Sequence, residues 1–177
     1  MTTAYRVLVA DPPWPARDKL PGKGRGAVKH YKIMTAEEIM AYPIPLMADD
    51  SVLLLWRVAW AVVEAMRVAH AWGFEPKSEI VWLKRTVTGK RHFGMGRYVR
   101  LEHETCMICT RGRAIPLVKN RNTRSTFEAR TGEHSEKPDE FYAIVEALFK
   151  GPRAEIFARK RRENWMQFGH ELEEATR

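Results

Sequence analysis

The pattern of hydrophobic and polar positions changes period several times along this chain, and each change marks an element. Val7-Leu8-Val9-Ala10 is an unbroken apolar run suited to a strand covered on both faces. It stops at Asp11-Pro12-Pro13-Trp14, where Asp and Pro open a loop. Thr35-Ala36-Glu37-Glu38 has the spacing of a capping box and predicts a short helix that ends before Pro43. Residues 51–56 form a second apolar run, expected to be a central parallel strand. Residues 58–72 read as a helix, apolar except for a thin stripe of Glu64, Arg67 and His70, with Gly73 as its stop. Residues 78–84 and 104–110 predict further strands, separated by a long basic loop that contains Gly94 and Gly96. Phe141, Ile144, Val145, Leu148 and Phe149 recur at helical spacing behind Pro138, the expected first helical position, with Asp139 and Glu140 in the first turn. Gly151-Pro152 ends that helix, residues 154–158 predict a strand, and Trp165-Met166-Gln167-Phe168 is a last apolar segment. Strands alternating with helices predict an α/β sheet whose ligand sites lie beyond the carboxyl ends of its strands.

A chain of 177 residues suits one domain with one core and is short for two, so 1–177 reads as a single domain. Its composition, 45% hydrophobic and 29% charged, is that of a globular protein; it holds no apolar stretch near 18 residues, no linker and no repeat. The few residues ahead of the first strand leave no room for a secretion signal, and a reducing, cytoplasmic compartment is expected. Cys106 and Cys109 form a C-x-x-C inside a predicted strand. Further ligands at compatible spacing are missing and a strand turns the two to opposite faces, so they read as small buried residues with no metal. Gly22, Gly24 and Gly26 suggest a phosphate loop, but no strand immediately precedes them and no clear helix follows.

The net charge of +8 conceals an asymmetry. Residues 17–32, 84–100, 111–130 and 159–162 hold 22 of the 30 Lys and Arg and only two acids, Asp18 and Glu128. These segments are rich in Gly, Pro and Asn, which places the charge on connections, where loops at one end of a sheet would form a basic rim. Such a rim is either a solvated surface or a polyanion site; Tyr31, Phe93 and Tyr98 interleave with it as stacking surfaces for unpaired bases, which favours nucleic acid. The candidate contacts are Lys23, Arg25, Lys29, Lys90, Arg91, Arg97, Arg161 and Arg162.

Asp11-Pro12-Pro13-Trp14 read alone is either a strand-end turn or a pocket for an amine on a flat base. It offers an acceptor, a stiff backbone and an aromatic ring. Taken in order with His30-Tyr31, Met34-Thr35, Leu55-Trp56, Trp72-Gly73-Phe74, Glu79-Ile80-Val81-Trp82-Leu83-Lys84, Lys137-Pro138-Asp139-Glu140, Glu155-Ile156-Phe157-Ala158-Arg159 and Asn164-Trp165 with Gly169, it resembles the N6-adenine methyltransferase family. That family includes the catalytic subunit of the eukaryotic messenger RNA adenosine methyltransferase and small bacterial and phage relatives. The resemblance covers residues 7–172.

The resemblance implies a Rossmann-like, seven-stranded sheet with helices on both faces, motifs in permuted order with the catalytic one first, and S-adenosyl-L-methionine as donor. Asp11 would accept hydrogen bonds from the target amine beside the donor and the Pro12 carbonyl would be a second acceptor. Pro13 and Trp14 complete the motif, Trp14 holding the adenine ring, and Tyr31 matches an aromatic position of the first active-site loop. Lys137 matches a lysine that meets the donor's methionine carboxylate, where the residues alone read as a solvated helix-start lysine. Phe157 and Arg159 match residues around its adenosine, and Asn164 is a further cofactor-side position. His170 and Glu171 stand where relatives have Asn-Gln, and no counterpart is expected to the acidic segment that precedes the first strand in larger relatives.

The expected activity is methyl transfer to N6 of adenine in nucleic acid, DNA in preference to RNA, by a chain that forms a homodimer. The other readings are an RNA adenine N6-methyltransferase, a catalytically silent nucleic-acid-binding partner subunit, and an enzyme acting on free adenine nucleotides.

Overall fold

The computed structural model describes residues 3–15, 33–94, 96, 98–132 and 136–169. The first apolar run becomes β1 (Tyr5–Ala10), whose residues Val7, Leu8, Val9 and Ala10 are fully buried because the strand has neighbours on both edges and cover on both faces. β2 (Met47–Arg57) pairs with it in parallel on one side, and β6 (Arg153–Ile156) does so on the other. With β3 (Glu75–Arg85), β4 (His103–Arg111), β5 (Thr126–Arg130) and β7 (Met166–Phe168), the sheet has the order β5-β3-β4-β2-β1-β6-β7.

β4 alone runs against the rest, antiparallel to both β2 and β3. The sheet is therefore mixed, and residues 51–56, expected in a parallel setting, have a parallel neighbour on one side only. Chain connectivity explains this. The loop after β3 brings the chain back at the same end of the sheet, without the crossover that a parallel neighbour requires.

Alternate positions on each strand feed two separate cores. Val7, Val9, Val52, Leu54, Trp56 and Cys106 face α3 (Asp139–Leu148), while Leu8, Ala10, Leu53, Leu55, Met107 and Cys109 face α1 (Ala36–Met40) and α2 (Val62–Ala71). Helices therefore cover both faces, and the two cysteines lie buried on opposite sides of the sheet. The capping box forms: Glu38 N–H donates to Thr35 Oγ1 at 3.2 Å and Thr35 N–H to Glu38 Oε2 at 2.7 Å. Such a cap stabilises a helix of five residues by about 1 kcal/mol.

β2 begins four residues before the expected run and β6 ends two residues before 158, and three other features also differ from expectation. Residues 58–61 form a turn between β2 and α2, with Ala61 N–H bonded to the Val58 carbonyl at 3.1 Å, so the helix starts four residues late. Pro138, with ψ 148°, is the cap before α3 instead of its first residue. β5 lies inside 111–130, where only loop was foreseen. It is an edge strand with one buried residue, Ala129, so its apolar pattern is weak.

Candidate active site

β1, β2, β3, β5 and β6 all end at one edge of the sheet, and β4, being reversed, begins there. Four elements deliver charged groups to that edge. Asp11 follows β1, Lys137 precedes α3, Glu104 opens β4 and Arg159 follows β6. Lys137 Nζ lies 2.8 Å from Asp11 Oδ2 and 3.2 Å from Glu104 Oε2, and Arg159 Nη2 is 3.5 Å from Asp11 Oδ2. Lys84, near the end of β3, reaches the other oxygen of Glu104 at 2.5 Å. The side chains of Lys137 and Asp11 are only 7% and 14% exposed, so these pairs are shielded from water.

Burial on its own pulls the Lys137 ammonium down, but the Asp11 and Glu104 carboxylates outweigh it and hold the group above its ordinary value. Burial likewise pushes Glu104 up, and Lys137 and Lys84 together bring it below the usual carboxylate range. The cluster brings together two carboxylates, two lysines and an arginine. Lys137 Nζ also stands 5.1 Å over the Trp56 ring, a cation–π contact.

The backbone around Asp11 is held by its own hydrogen bonds. The Pro12 carbonyl accepts Trp14 N–H at 2.8 Å, and the Pro13 carbonyl accepts Met34 N–H at 3.0 Å. Trp14 is buried and its Nε1 donates to the Trp56 carbonyl at 2.9 Å, which pins the tetrapeptide to the end of β2. A hollow of about 140 Å³ opens here, walled by Asp11, Pro12, Pro13, Trp14, Trp56 and Glu104 among others. On the other side of Asp11 a narrower crevice is lined by Lys137, Tyr142, Glu155, Phe157 and Arg159. Asp11, Lys137 and Arg159 belong to both, so one carboxylate and two cations separate an aromatic-walled hollow from a crevice rich in charge.

Asp11, Pro12, Pro13, Trp14, Lys137, Phe157 and Arg159 are therefore brought together. Asn164 is exposed at φ 62° and lines neither hollow. Tyr31, Lys23, Arg25, Lys29, Arg97, His170 and Glu171, like the glycines at 22, 24 and 26, lie outside the described residues. Lys90 and Arg91 are exposed on the loop between β3 and β4, above the same edge as Asp11, and Arg161 is exposed in the loop after β6. That first loop also exposes Phe93 (73%) and Tyr98 (92%), with the Arg100 guanidinium 4.9 Å from the Phe93 ring. Arg162 turns inward instead, stacked on Tyr142 and paired with Asp139.

One expectation about the rim is corrected. Arg111 ends β4 and Arg113 follows it, at the end of that strand which its reversal puts at the far end of the sheet, so the basic segments do not all meet at one edge. The same reversal supplies the residue that sequence reasoning missed. Glu104 looked like one acid in a strand; its signal was its place at the strand opening, which means nothing until the direction of β4 is known.

Known proteins resemble this chain along almost its whole length. The MT-A70 family model matches residues 5–171. The chain belongs to the MT-A70 family. It is 28% identical over 174 residues to the N(6)-adenosine-methyltransferase MT-A70-like protein of Drosophila melanogaster, covering 96% of this chain and 27% of that protein. Identity to the human N(6)-adenosine-methyltransferase catalytic subunit METTL3 is also 28%, over 96% of this chain and 28% of the relative. Type II methyltransferase M.MunI from Mycoplasma sp is 27% identical over 191 residues, covering 95% of this chain and 78% of the relative. This MT-A70 chain thus spans about a quarter of the length of the two animal relatives. Among its described residues no helix is long and apolar enough to cross a membrane, and no group of three or more His, Cys, Asp or Glu is placed to hold a metal ion.

Proposed function

We propose that this MT-A70 chain transfers a methyl group from S-adenosyl-L-methionine to the N6 amine of adenine in nucleic acid, DNA in preference to RNA. The observation that carries the proposal is the Asp11 carboxylate, held by Lys137 and Arg159 between an aromatic-walled hollow and a charged crevice. The chemistry of the crevice fits the donor: Lys137 and Arg159 are cations suited to its carboxylate and hydroxyls, and Phe157 is an aromatic wall for its adenosine. His170 and Glu171, the cofactor-side positions that the resemblance implies, lie outside the described residues.

Bound there, S-adenosylmethionine supplies an activated methyl on a sulfonium centre. The protein must then raise the reactivity of a poor nucleophile, because the N6 lone pair of adenine is delocalised into the ring. Both cations reach Asp11 at Oδ2, and Oδ1 is the acceptor we assign to one N–H of the amine. The Pro12 carbonyl, which gives one lone pair to Trp14 N–H, has a second for the other N–H. As the nitrogen becomes tetrahedral and positively charged, the carboxylate stabilises that charge and receives the proton the nitrogen sheds. One such preorganised group is worth on the order of 100- to 1000-fold in rate. Proline at 12 and 13 fixes two φ angles, so the acceptors do not reorganise during the reaction. A base in a duplex has to leave the stack to reach the hollow, so the substrate adenine is flipped out or unpaired.

The preference for DNA is supported by the match to the Type II methyltransferase, which covers 95% of this chain and 78% of that relative. The exposed aromatic and basic loop between β3 and β4 supports a nucleic-acid substrate over a free nucleotide, and we place a second copy of the chain as partner in gripping it. The test is incubation with labelled S-adenosylmethionine and single-stranded DNA, duplex DNA, RNA and dATP in parallel, followed by nucleoside mass spectrometry. N6-methyladenine in the DNA arms is expected. Product only in RNA would move the substrate, and no product in any arm from folded protein would overturn the activity.

A further inference from the structure

The loop 157–163 carries Arg159 to Asp11, and its path is not one the backbone adopts freely. Phe157 at its start and Asn164 just beyond its end both lie in the left-handed region, at φ 60° and 62°. Asn tolerates that conformation; Phe does not, so contacts made elsewhere must impose the route. Phe157 packs on Tyr42, Ala158 N–H bonds the Phe168 carbonyl at 3.0 Å, Lys160 and Arg162 pair with Asp139, and the backbone inside the loop is held by Gln167 in β7. Its Oε1 accepts the Arg162 N–H at 2.5 Å, and its Nε2 donates to the Lys160 carbonyl at 2.6 Å and to Glu155 Oε2 at 2.7 Å. One primary amide thereby uses both its N–H groups and its oxygen, two of the three bonds going to loop backbone.

Glu155 is the anchor of this arrangement. It is 4% exposed on β6, and its other oxygen accepts the Tyr142 hydroxyl of α3 at 2.6 Å. A buried carboxyl is costly unless its oxygens are satisfied, and here Tyr142 and Gln167 satisfy one each. The amide therefore links the loop to a fixed point shared by β6 and α3, the helix that Lys137 precedes. The pairing of β7 with β6 is made by backbone atoms and does not need the Gln167 side chain.

We propose that Gln167 is a positioning residue: it clasps loop 157–163 so that Arg159 stays beside Asp11, and through Arg159 it sets affinity for the methyl donor. This rests on the donor role given to Arg159 above.

The test uses Gln167→Met, which keeps side-chain length and removes all three hydrogen bonds, alone and together with Arg159→Ala. Three readouts are taken: S-adenosylmethionine binding by calorimetry, amide hydrogen exchange of the ligand-free protein, and melting temperature. Gln167→Met is expected to expose the Arg162 amide to exchange, to leave β1 and α3 protected, and to weaken donor binding about five- to tenfold, the effect of losing a hydrogen bond or two. In the Arg159→Ala background the same substitution is expected to change donor binding little. Unchanged donor affinity in Gln167→Met overturns the proposal, as does equal weakening in the Arg159→Ala background or loss of protection throughout the sheet. Failure of the wild-type protein to bind S-adenosylmethionine overturns the proposed function first and the donor half of the clasp with it, while the Arg162 amide still reports whether the clasp itself exists.

Discussion

Lys137 and Asp11 stand 126 positions apart in the chain and 2.8 Å apart in the fold. Glu104 meets the same ammonium at 3.2 Å, so one buried cation ties the end of β1, the start of β4 and the approach to α3 into a single charged centre. A shielded pair of this kind is costly to break from one side, because it leaves the other charge buried without its partner. That asymmetry makes the centre accessible to experiment.

Asp11→Asn keeps the shape of the side chain and removes its charge. Donor binding by calorimetry is expected to survive, since Lys137 retains Glu104, while methyl transfer falls about 100- to 1000-fold. A variant that transfers methyl at the wild-type rate would remove Asp11 from the chemistry.

Stability should depend on pH through Glu104 and Lys137. Glu104 has a lowered native value, so its contribution is complete above the unfolded value of about 4.3 and is lost as pH falls through the native one. Lys137 has a raised native value, so its contribution is complete below about 10.4 and is lost as pH rises through the native one. A melting-temperature plateau between those limits is expected, and Glu104→Gln should lower it by about 2–4 °C per kcal/mol lost while making the acid-side fall shallower. Superimposable acid profiles would show that Glu104 contributes nothing to stability.

Both cysteines should be inert in the native protein. Burial pushes the Cys106 thiol well up and takes that of Cys109 to about 12, so little thiolate forms at neutral pH and neither sulfur is accessible. Titration with an aromatic disulfide reagent is expected to find no reactive thiol before denaturation and two afterwards. Rapid labelling of native protein would contradict this packing.

Position along the sheet, not charge alone, should decide which cations hold nucleic acid. Lys90→Ala with Arg91→Ala is expected to weaken binding and make it less sensitive to salt, by about 0.9 in log–log slope for each duplex phosphate that is no longer neutralised. Arg113→Ala with Arg124→Ala removes the same charge from a segment that follows the far end of β4, and should change affinity little. Fluorescence anisotropy across a salt series reads both, and equal losses from the two pairs would count against a directed surface.

Much of this protein was legible before folding was considered. The unbroken run at β1, the capping box at Thr35 and the helical spacing from Phe141 to Phe149 are local signals that tertiary packing reinforced. Asp11, Pro12, Pro13, Trp14, Lys137 and Arg159 were named one at a time and meet at one edge of the sheet. β5 escaped notice because an edge strand buries little and needs little apolar pattern. Arg162 stands among the candidate nucleic-acid contacts of the sequence because nothing local announces its ring partner Tyr142 or its ion pair with Asp139.

The chain by itself determined most of its strands and helices and which residue types the proposed chemistry would use, because the period of apolar positions and the identity of side chains are local properties. Only the tertiary structure decided the direction of β4. A strand shows the same alternation whichever way it runs, and its polarity is set by the connection that precedes it and the neighbours that accept it. That one choice brought Glu104 to Lys137 and sent Arg111 and Arg113 to the opposite end of the sheet.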